Sequence, residues 1–347
     1  MERRKGRLEN MVGKTGDEMT GKDYFSDKNV LITGATGLVG PYVVNALLDA
    51  GVQNAVCIVR DRVPDSIFFT EGAAKKCVLV SGELQDYFLL ERVINEYEIS
   101  NIIHLGAQAI VGTANRSPLA TFESNIKGTW NVLEAARVHD KLVKSVVVAS
   151  SDKAYGDQEK LPYTEESPLL ATHPYDASKS CADILSTAYG KTYGLPVSIS
   201  RCGNFFGGGD LNFNRIVPGT IRNAHFNKPP EIRGDGKAVR DYIYVKDAAS
   251  AYLLLSEKTE NAGLKGEAFN FSNEVQMNVL EMMNKILVLM GKTSLKPIIM
   301  NNASGEIFKQ HLSAEKARRI LGWKSEWTVD SGLKETIEWY KKYFKGG

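Results

Sequence analysis

The stretch that decides the fold is KNVLITGATGLVGPYVVNALLDAG, residues 28–51. It gives a β-branched strand, a glycine-rich turn and an amphipathic helix that ends at Gly51. We assign Gly34 to the tight turn, Gly37 to the approach of the backbone to a pyrophosphate, and Gly40 to close packing of the helix on the strand. The helix N-terminus would face the phosphates, because its N–H groups and dipole favour an anion. The stretch therefore predicts the start of a dinucleotide-binding fold, although the spacing is G-x-x-G-x-x-G.

Three further strands are predicted beside the dinucleotide, in NAVCIVRDR, KCVLVSGEL and NIIHLGAQA. In such folds an acidic residue after the second strand binds the ribose hydroxyls of NAD, whereas an arginine accommodates the 2′-phosphate of NADP. Here Asp61 and Arg60 offer both, and one of them can equally be a solvated strand end. NAD and NADP both stay open, with Arg60 favouring NADP. The predicted cofactor-binding residues are Gly34, Thr36, Gly37, Leu38, Val39, Gly40, Arg60, Asp61, Glu83, Leu84, Leu105, Gly106, Ala107, Tyr175 and Lys179.

A second group of polar residues lies in SSDKAYG and PYDASK. Ser151, Asp152 and Lys153 follow the apolar run KSVVVAS, a predicted parallel strand, and open α/β sheets bind ligands at the carboxyl ends of such strands. Tyr175 and Lys179 share one face of a predicted helix that starts at a proline. A nearby ammonium group would lower the pKa of a tyrosine from about 10, so that the phenolate takes a hydroxyl proton. Tyr-x-x-x-Lys also occurs by chance in helices, and the glycine fingerprint upstream is what makes it informative here.

Composition sets limits on the other classes of function. The chain has 347 residues, of which 43% are hydrophobic and 24% charged, and its net charge of +2 gives no reason to expect nucleic acid. It contains no apolar window of about 18 residues and no signal-peptide pattern at its start, so we expect a cytoplasmic protein without a membrane partner. The four cysteines are widely spaced in apolar contexts, which favours buried free thiols over a metal site or disulfides.

The predicted architecture is α/β: a doubly wound parallel sheet with a smaller, interleaved C-terminal substrate domain. Residues 1–26 are polar and without period, which predicts a disordered extension. We assign residues 27–200 and 241–258 to the dinucleotide domain, and residues 201–240 and 259–347 to the substrate domain. A long helix is predicted over residues 117–139, in which Asn125 would link the helix to the strand that carries the serines.

Six motifs in order, GATGLVG, HLGAQ, SSDKAYG, YDASK, RCGNFFGGGD and VRDYIYVKD, resemble the extended short-chain dehydrogenase/reductase family from about residue 27 onward. Within it the chain is most similar to the nucleotide-sugar 4,6-dehydratases, above all to those acting on CDP-glucose. The resemblance implies a Rossmann domain that binds NAD(P), a C-terminal domain that binds a nucleoside diphosphate sugar, and a homodimer. Dehydratases acting on dTDP-glucose and GDP-mannose carry an acidic pair or related triad where this chain has Asp152 and Lys153. The Asp-Lys pair instead matches the CDP-glucose type and the inverting type that acts on UDP-N-acetylglucosamine.

The resemblance also implies catalytic roles. Tyr175 would remove the proton of the sugar 4-hydroxyl while hydride leaves carbon 4, and Ser151 would hydrogen-bond the 4-oxygen. Lys153, in its neutral form, would take the proton of carbon 5, and Asp152, in its protonated form, would protonate the departing 6-hydroxyl before hydride returns to carbon 6. In the opposite assignment Asp152 is structural and Lys153 binds a phosphate or sugar oxygen. The residues that we expect to hold the sugar and diphosphate are Asn204, Arg215 and Arg240.

Two other functions fit parts of the pattern. A nucleotide-sugar 4-epimerase needs only the serine, tyrosine and lysine, because hydride returns to carbon 4. Such enzymes typically have small neutral residues at the positions of Asp152 and Lys153, which favours dehydration. A non-catalytic dinucleotide-sensing protein would keep the fold without the chemistry, and the intact set of Ser151, Tyr175 and Lys179 disfavours it. For the substrate, CDP-glucose is favoured, with GDP-mannose and UDP-N-acetylglucosamine as alternatives.

Overall fold

Short apolar runs build one parallel sheet, whose strands all end at the same edge. In a computed structural model that describes residues 24–301 and 307–346, these strands are β1 (Asn29–Thr33), β2 (Asn54–Val59), β3 (Val78–Ser81), β4 (Asn101–His104), β5 (Ser145–Ala149), β6 (Val197–Cys202) and β10 (Glu267–Phe271). Their order is β10-β6-β5-β4-β1-β2-β3, and every pairing is parallel. The order reverses between β1 and β4, which is where such sheets open a ligand crevice. The predicted doubly wound sheet is confirmed.

Helices cover both faces of this sheet. The α-helices are, in chain order, α1 (Gly40–Asp49), α2 (Ile67–Thr70), α3 (Tyr87–Glu96), α4 (Val111–Arg116), α5 (Pro118–Phe122), α6 (Gly128–Val138), α7 (Pro174–Tyr193), α8 (Ile216–His225), α9 (Val245–Asn261), α10 (Val279–Leu289) and α11 (Val329–Tyr343). Helices α1 and α9 pack in one apolar layer, whereas α3 and α6 pack in the other. Strand β5 is buried along its whole length, as expected for a parallel strand covered on both faces.

Shorter helical turns complete these connections. In the described part of the chain they are the 3₁₀ helices Ala73–Lys76 and Asp152–Tyr155 and the π-helical turns Glu123–Lys127 and Ala317–Leu321. The first π turn joins α5 to α6, so the helix predicted over residues 117–139 is continuous but changes its hydrogen-bond pattern in the middle. No helix in the described part of the chain is long and apolar enough to cross a membrane.

A second, smaller sheet is built from segments that follow β6. Its strands are β7 (Asn204–Phe206), β9 (Val239–Tyr244) and β11 (Gln276–Asn278), with β9 in the centre, parallel to β7 and antiparallel to β11. A further pair joins β8 (Glu231–Ile232) to β12 (Ile298–Ile299). The chain therefore passes back and forth between the two parts, as the interleaved arrangement predicts.

The strand pairing departs from the predicted domain boundaries in two places. Glu267–Phe271, assigned to the substrate domain, is the edge strand of the large sheet and pairs with β6. Val239–Tyr244 belongs to the small sheet. Of the segment 241–258 that was assigned to the dinucleotide domain, only the part in α9 therefore packs with that domain. Both errors concern pairing between strands that are far apart in sequence, which local patterns do not report.

The N-terminal boundary also needs correction. The predicted disordered extension covers residues 1–26, of which residues 1–23 lie outside the described residues. Tyr24 and Phe25 are only 5% and 1% exposed. The Tyr24 hydroxyl donates to Glu260 at 2.6 Å and accepts from Asn101 at 2.9 Å. The prediction is therefore wrong for Tyr24 and Phe25, whose aromatic rings belong to the core.

A buried ion pair fastens the sheet to α7. Arg201 on β6 and Asp183 on α7 are 6% and 1% exposed, and two N–H···O bonds of 2.7 Å join them. Arg201 also donates to the Tyr155 hydroxyl at 2.8 Å, at the end of the 3₁₀ turn that carries Asp152 and Lys153. The pair therefore holds together the strand, the helix and the turn that build the site described below.

Replacing Asp183 with alanine should lower the free energy of unfolding by about 3 kcal/mol, because it leaves the Arg201 guanidinium buried without its partner charge. Urea unfolding followed by circular dichroism measures the change. The control is Glu338→Ala, which removes the partner of Lys341 from an exposed ion pair and should change the free energy of unfolding little, because exposed ion pairs contribute little to stability. Equal losses in the two variants would contradict the structural role of Asp183.

Candidate active site

The loop after β1 is shaped by two close backbone contacts. Gly34 has φ +77°, and a Cβ there would lie 2.7 Å from the backbone nitrogen of Gly106. A Cβ on Gly40 would lie 2.2 Å from the carbonyl oxygen of Gly34. The tight turn at Gly34 and the close packing of the helix at Gly40 are thus confirmed. The role of Gly37, which is exposed, stays a prediction.

The residues of this loop fit the pyrophosphate of a dinucleotide. No side chain caps the N-terminus of α1, whose N-cap residue is Val39, so the helix can offer backbone N–H groups to an anion. Thr36 and Leu38 are half-buried beside the exposed Gly37. The loop and the N-terminus of α1 lie at the point where the strand order reverses.

The loop after β4 forms the other wall of this crevice. The Gly106 N–H donates to Thr33 Oγ1 at 3.0 Å, and a Cβ on Gly106 would lie 2.8 Å from Leu84 Cδ1. Leu105 and Ala107 flank Gly106 and are half-buried. Leu84, Leu105, Gly106 and Ala107 are therefore brought together as predicted, while Glu83 is exposed.

A buried histidine behind this wall was not predicted from the sequence. His104 ends β4, with Nδ1 2.7 Å from Thr33 Oγ1 and Nε2 3.0 Å from Thr129 Oγ1. Burial lowers the pKa of His104 to about 3, so the ring is neutral at pH 7. The one signal in the sequence is a polar residue at the end of the apolar run NIIH.

The two residues expected to choose between NAD and NADP contact each other. Arg60 Nε donates to Asp61 Oδ2 at 2.6 Å just beyond β2, and both side chains are more than half exposed. Exposed pairs of this kind contribute little to stability and exchange partners readily. Their geometry therefore leaves both cofactors open.

Ser151, Asp152 and Lys153 lie directly after β5, as predicted. Ser151 caps the 3₁₀ turn by accepting from the Lys153 N–H at 3.2 Å, and its hydroxyl donates to Asp152 Oδ1 at 3.0 Å. Lys153 Nζ lies 3.4 Å from Asp152 Oδ1 and 3.1 Å from Asn204 Oδ1. Asp152 is 1% exposed, and its Oδ2 has no hydrogen-bond partner among the described residues. The turn thus presents an acid and an amine next to each other.

Tyr175 and Lys179 approach this turn from α7. Both are buried, at 9% and 6% exposure. The ammonium group of Lys179 donates to the carbonyl oxygen of Ala149 at 2.7 Å, at the end of β5. Burial lowers the pKa of Lys179 to about 8. The structure therefore brings both residues to the strand end that carries Ser151.

The prediction that Lys179 lowers the pKa of Tyr175 is wrong for this structure. Burial raises the pKa of Tyr175 to about 12, a hydrogen bond with Ser151 and the charge of Arg215 lower it, and Asp152 raises it. The contact that was expected between the ammonium group and the phenol is replaced by the bond to Ala149. Tyr175 is consequently neutral at pH 7 in this arrangement.

The predicted link made by Asn125 also differs. Asn125 Nδ2 donates to Ser178 Oγ at 2.9 Å, and its Oδ1 accepts from the Gln108 N–H at 2.7 Å. It therefore joins the loop after β4 to α7, rather than to the strand that carries the serines. Its role is structural, as expected, but it acts on the helix of Tyr175.

The residues predicted to hold the substrate lie on the small sheet and at the start of α8. Asn204 contacts Lys153, as described above. Arg215 Nη1 lies 3.1 Å from both carboxylate oxygens of Asp210, and its charge reaches Tyr175. Arg240 lies on β9, two positions before Tyr242, the register partner of Asn204. Asn204 thus contacts Lys153 and Arg215 acts on Tyr175, whereas Arg240 lies further along the sheet.

Residues later in the chain also contact this part of the fold, and these contacts were not predicted from the sequence. Gln310 is 1% exposed, and its Nε2 donates to the backbone oxygen of Asp152 at 2.9 Å. Asp241 is fully buried, and its Oδ2 accepts from Ser272 Oγ and from the Leu312 N–H, the latter at 3.1 Å. The first contact fastens the C-terminal part of the chain to the turn that begins at Asp152, and the bond to Leu312 fastens it to β9.

The free energy of unfolding should depend on pH through Asp241. Burial raises the pKa of this carboxyl from 3.8 to about 7. Between these values the unfolded chain has released the proton and the folded protein has kept it. The stability that this carboxyl contributes is therefore fully present below pH about 4 and is lost as pH rises through about 7. The slope is at most about 1.4 kcal/mol per pH unit.

Urea unfolding at pH 5 and pH 7 tests this dependence. The loss of stability between the two should be smaller in Asp241→Asn than in the unmodified protein. Replacement of the exposed Asp157 by asparagine should leave the loss unchanged. Equal losses in Asp241→Asn and the unmodified protein would contradict the assignment.

The cysteines do not take part in these contacts. All four have free thiols, with Cys57 and Cys202 buried and the other two half-buried. Among residues 24–301 and 307–346, no group of three or more histidine, cysteine or acidic side chains could hold a metal ion.

Comparison with known proteins gives a consistent picture. The sequence pattern of the family described as GDP-mannose 4,6 dehydratase matches residues 31–336. The dTDP-glucose 4,6-dehydratase of Neisseria gonorrhoeae is 30% identical over 336 residues, covering 90% of this chain and 95% of that protein.

Solved structures share the fold over nearly the whole chain. The dTDP-glucose 4,6-dehydratase of Bacillus anthracis, in complex with NAD, superposes with a TM-score of 0.81 at 29% identity, over 92% of this chain and 98% of that one. The UDP-glucose 4-epimerase of Thermotoga maritima, with UDP-glucose, gives a TM-score of 0.83 at 26% identity, over 91% and 99% of the two chains. The match to the family pattern decides membership: the chain belongs to the GDP-mannose 4,6 dehydratase family, within the extended short-chain dehydrogenase/reductases.

Proposed function

We propose that this member of the nucleotide-sugar 4,6-dehydratases converts CDP-glucose to its 4-keto-6-deoxy product, with NADP as the favoured resident cofactor. The observation that carries the proposal is the catalytic turn, where the Asp152–Lys153 pair adjoins Ser151 and faces the helix of Tyr175 and Lys179. An acid and an amine at this place suit the elimination of water. Oxidation of the 4-hydroxyl alone would require neither of them.

The first step is removal of the 4-hydroxyl proton by Tyr175. Ser151 lies near enough to Tyr175 to lower the pKa of its phenol, so both side chains can approach the same sugar oxygen. A bound NAD(P) supplies the acceptance and return of hydride, and the positive charge of its oxidised ring favours the phenolate. The glycine loop after β1 and the wall around Gly106 are the residues that would hold it.

The second step is elimination across carbons 5 and 6. Neutral Lys153 takes the proton of carbon 5, and protonated Asp152 delivers a proton to the 6-hydroxyl, so that the carbon–oxygen bond breaks and water leaves. Lys153 Nζ and Asp152 Oδ1 are 3.4 Å apart, and one proton passing between them interconverts this pair with the ionised pair. In the alternative assignment Asp152 is structural and Lys153 binds a phosphate or sugar oxygen, and the variants treated in the Discussion separate the two.

The nearest rival function is 4-epimerisation, which the fold also supports in other proteins. Epimerisation returns hydride to carbon 4 and leaves the oxygen on carbon 6, so it gives Asp152 and Lys153 no task. The burial of Asp152 and its contact with the half-buried Lys153 favour dehydration. A protein that only senses dinucleotides would have no need for any of these side chains.

The test of function is a substrate panel. Purified protein is incubated with CDP-glucose, GDP-mannose, UDP-N-acetylglucosamine and dTDP-glucose, with NAD or NADP supplied. We expect a 4-keto-6-deoxy sugar, detected by its absorbance in alkali and by mass spectrometry, and formed fastest from CDP-glucose. A product epimeric at carbon 4 that retains oxygen 6 would establish the epimerase instead.

The preference for NADP depends on Arg60. If its guanidinium binds the 2′-phosphate, Arg60→Ala should weaken binding of NADPH about tenfold and leave NADH nearly unchanged, because hydrogen bonds to charged groups contribute about 1.5–3 kcal/mol. Fluorescence titration with each reduced cofactor measures both affinities. The control is Arg62→Ala, which removes a nearby arginine that packs over Phe69. Tighter binding of NADH than of NADPH by the unmodified protein would show that Asp61 decides the choice.

We further propose that the protein is a homodimer joined through α6 and α7. Each helix exposes a large apolar side chain, with Trp130 at 43% on α6 and Ile184 at 57% on α7. Exposed apolar groups on adjacent helices favour association. Sedimentation equilibrium should give twice the chain mass, and Ile184→Lys should reduce it to the monomer.

A further inference from the structure

Asp176 is a buried carboxyl next to Tyr175 that the proposed reaction does not use. It is 6% exposed, and its Oδ1 has no hydrogen-bond partner among the described residues. Its Oδ2 lies 3.7 Å from Nδ1 of His173, which is beyond hydrogen-bond distance. Buried polar atoms in folded proteins nearly always have a partner. The free oxygen of Asp176 therefore calls for a donor.

The charges around Asp176 are those of the catalytic turn. Burial raises the pKa of Asp176, the charges of Lys153 and His173 lower it, and Asp152 raises it. The charge of Asp176 in turn raises the pKa of Tyr175. Asp176 is thus electrostatically coupled to both residues that the mechanism directs at the hexose, Tyr175 at carbon 4 and Lys153 at carbon 5.

Asp152, which contacts Lys153, shows the same feature. Its Oδ1 contacts Ser151 and Lys153, whereas its Oδ2 is buried and has no partner in the described part of the chain. A carboxylate can only accept hydrogen bonds, and a sugar hydroxyl can donate one. Two free carboxylate oxygens near one ammonium group therefore suit a ligand that carries several hydroxyls.

We propose that Asp176 is a substrate-binding residue that accepts a hydrogen bond from a ring hydroxyl of the hexose, at carbon 2 or carbon 3. The inference rests on the proposed function, which assigns oxygen 4 to Ser151 and Tyr175 and oxygen 6 to Asp152. Oxygens 2 and 3 are the ring hydroxyls that remain. The substrate class is then a hexose that carries a free hydroxyl at the contacted carbon, and loss or replacement of that hydroxyl should be disfavoured.

A double-mutant cycle between protein and ligand tests the contact. Dissociation constants are measured by calorimetry on the full chain with NADPH, which cannot accept hydride and so prevents turnover, for CDP-glucose and for its 2-deoxy and 3-deoxy analogues. In the unmodified protein one of the deoxy analogues should bind about 10- to 100-fold more weakly than CDP-glucose, because a hydrogen bond to a charged acceptor is lost. In Asp176→Ala the same analogue should bind as well as CDP-glucose does.

The controls separate this contact from effects on folding or on the nucleotide. CDP alone should bind equally to the unmodified protein and to Asp176→Ala, and Asp157→Ala, which removes an exposed carboxyl near the catalytic turn, should keep the full discrimination. Asp176→Asn serves as a second variant of nearly the same shape. Equal discrimination in the unmodified protein and both Asp176 variants would overturn the proposal, and so would an equal loss of affinity for CDP alone.

Measurements of binding test the contact between Asp176 and the hexose, and measurements of turnover test the dehydratase activity. If the cycle shows the coupling but no 4-keto-6-deoxy product forms, the dehydratase assignment fails and the hexose contact stands. If product forms but the coupling is absent, Asp176 has no role in binding and the dehydratase assignment stands.

Discussion

Replacing Tyr175 with phenylalanine should lower the kcat for formation of the 4-keto-6-deoxy sugar by about 10³-fold. General acid–base catalysis by a positioned side chain contributes about 10²- to 10⁴-fold, and the phenol is the group placed against Ser151 at the end of β5. The ring of phenylalanine fills the same buried space, so folding and affinity for the nucleotide sugar should change little. Rates are measured by product absorbance in alkali, and affinity by calorimetry.

The matched control is Tyr193→Phe, at the other end of the same helix. Tyr193 is 60% exposed and packs against the guanidinium of Arg137 through its ring, which phenylalanine preserves. Its kcat should stay within about twofold of the unmodified protein, since surface changes of this kind have small effects. If Tyr175→Phe kept comparable activity, the proton of the 4-hydroxyl would have to leave by another route.

The pH dependence of Tyr175 gives the same assignment an independent test. Only the phenolate can accept the proton, so kcat/KM should rise with pH on its acid side. Burial raises the pKa of Tyr175 to about 12 in the structure, and the charge of an oxidised nicotinamide nearby would lower it. Replacement of Arg215, whose charge also lowers this pKa, should move the rising limb to higher pH.

Local sequence signals were sufficient for the parts of the site that lie within one βα unit. The glycine loop after β1, the serine and Asp-Lys turn after β5, and the pair four residues apart on α7 are each specified by residues close in sequence. Strand ends in a parallel sheet meet at one edge, which is why these separate segments could be predicted to converge. Sequence position likewise placed Arg60 and Asp61 at the end of β2, but it could not predict the hydrogen bond between their side chains.

What could not be predicted depends on contacts between distant segments. Gln310 reaches the backbone of Asp152 across 158 positions, and Asp241 bonds Leu312 across 71. The edge strand β10 was assigned to the wrong domain for the same reason. The pKa of Tyr175 was mispredicted because its value depends on burial, which the spacing of Tyr175 and Lys179 does not report. Asp176 was overlooked because nothing in YDASK shows that its carboxyl is buried without a donor.

Replacing Asp152 with asparagine, or Lys153 with methionine, should reduce formation of the 4-keto-6-deoxy sugar by about 10²- to 10⁴-fold while oxidation at carbon 4 continues. Asparagine cannot deliver a proton to the 6-hydroxyl, and methionine cannot take one from carbon 5. The hexose should therefore stop at the 4-keto stage with its 6-hydroxyl in place. In a single turnover this is seen as the absorbance of reduced nicotinamide, which rises and persists in both variants but is transient in the unmodified protein.

Charge-matched controls are available in the same loop. Asp157→Asn and Lys160→Met change exposed residues a few positions further along, and both should turn over normally. The alternative roles of the pair give a different pattern, because a Lys153 that only binds a phosphate or sugar oxygen would raise KM and leave kcat nearly intact. Unimpaired kcat in both Asp152→Asn and Lys153→Met would remove the pair from the chemistry. Asp152 and Lys153 would then have a binding or structural purpose, and 4-epimerisation by Ser151, Tyr175 and Lys179 would become the better account of the site.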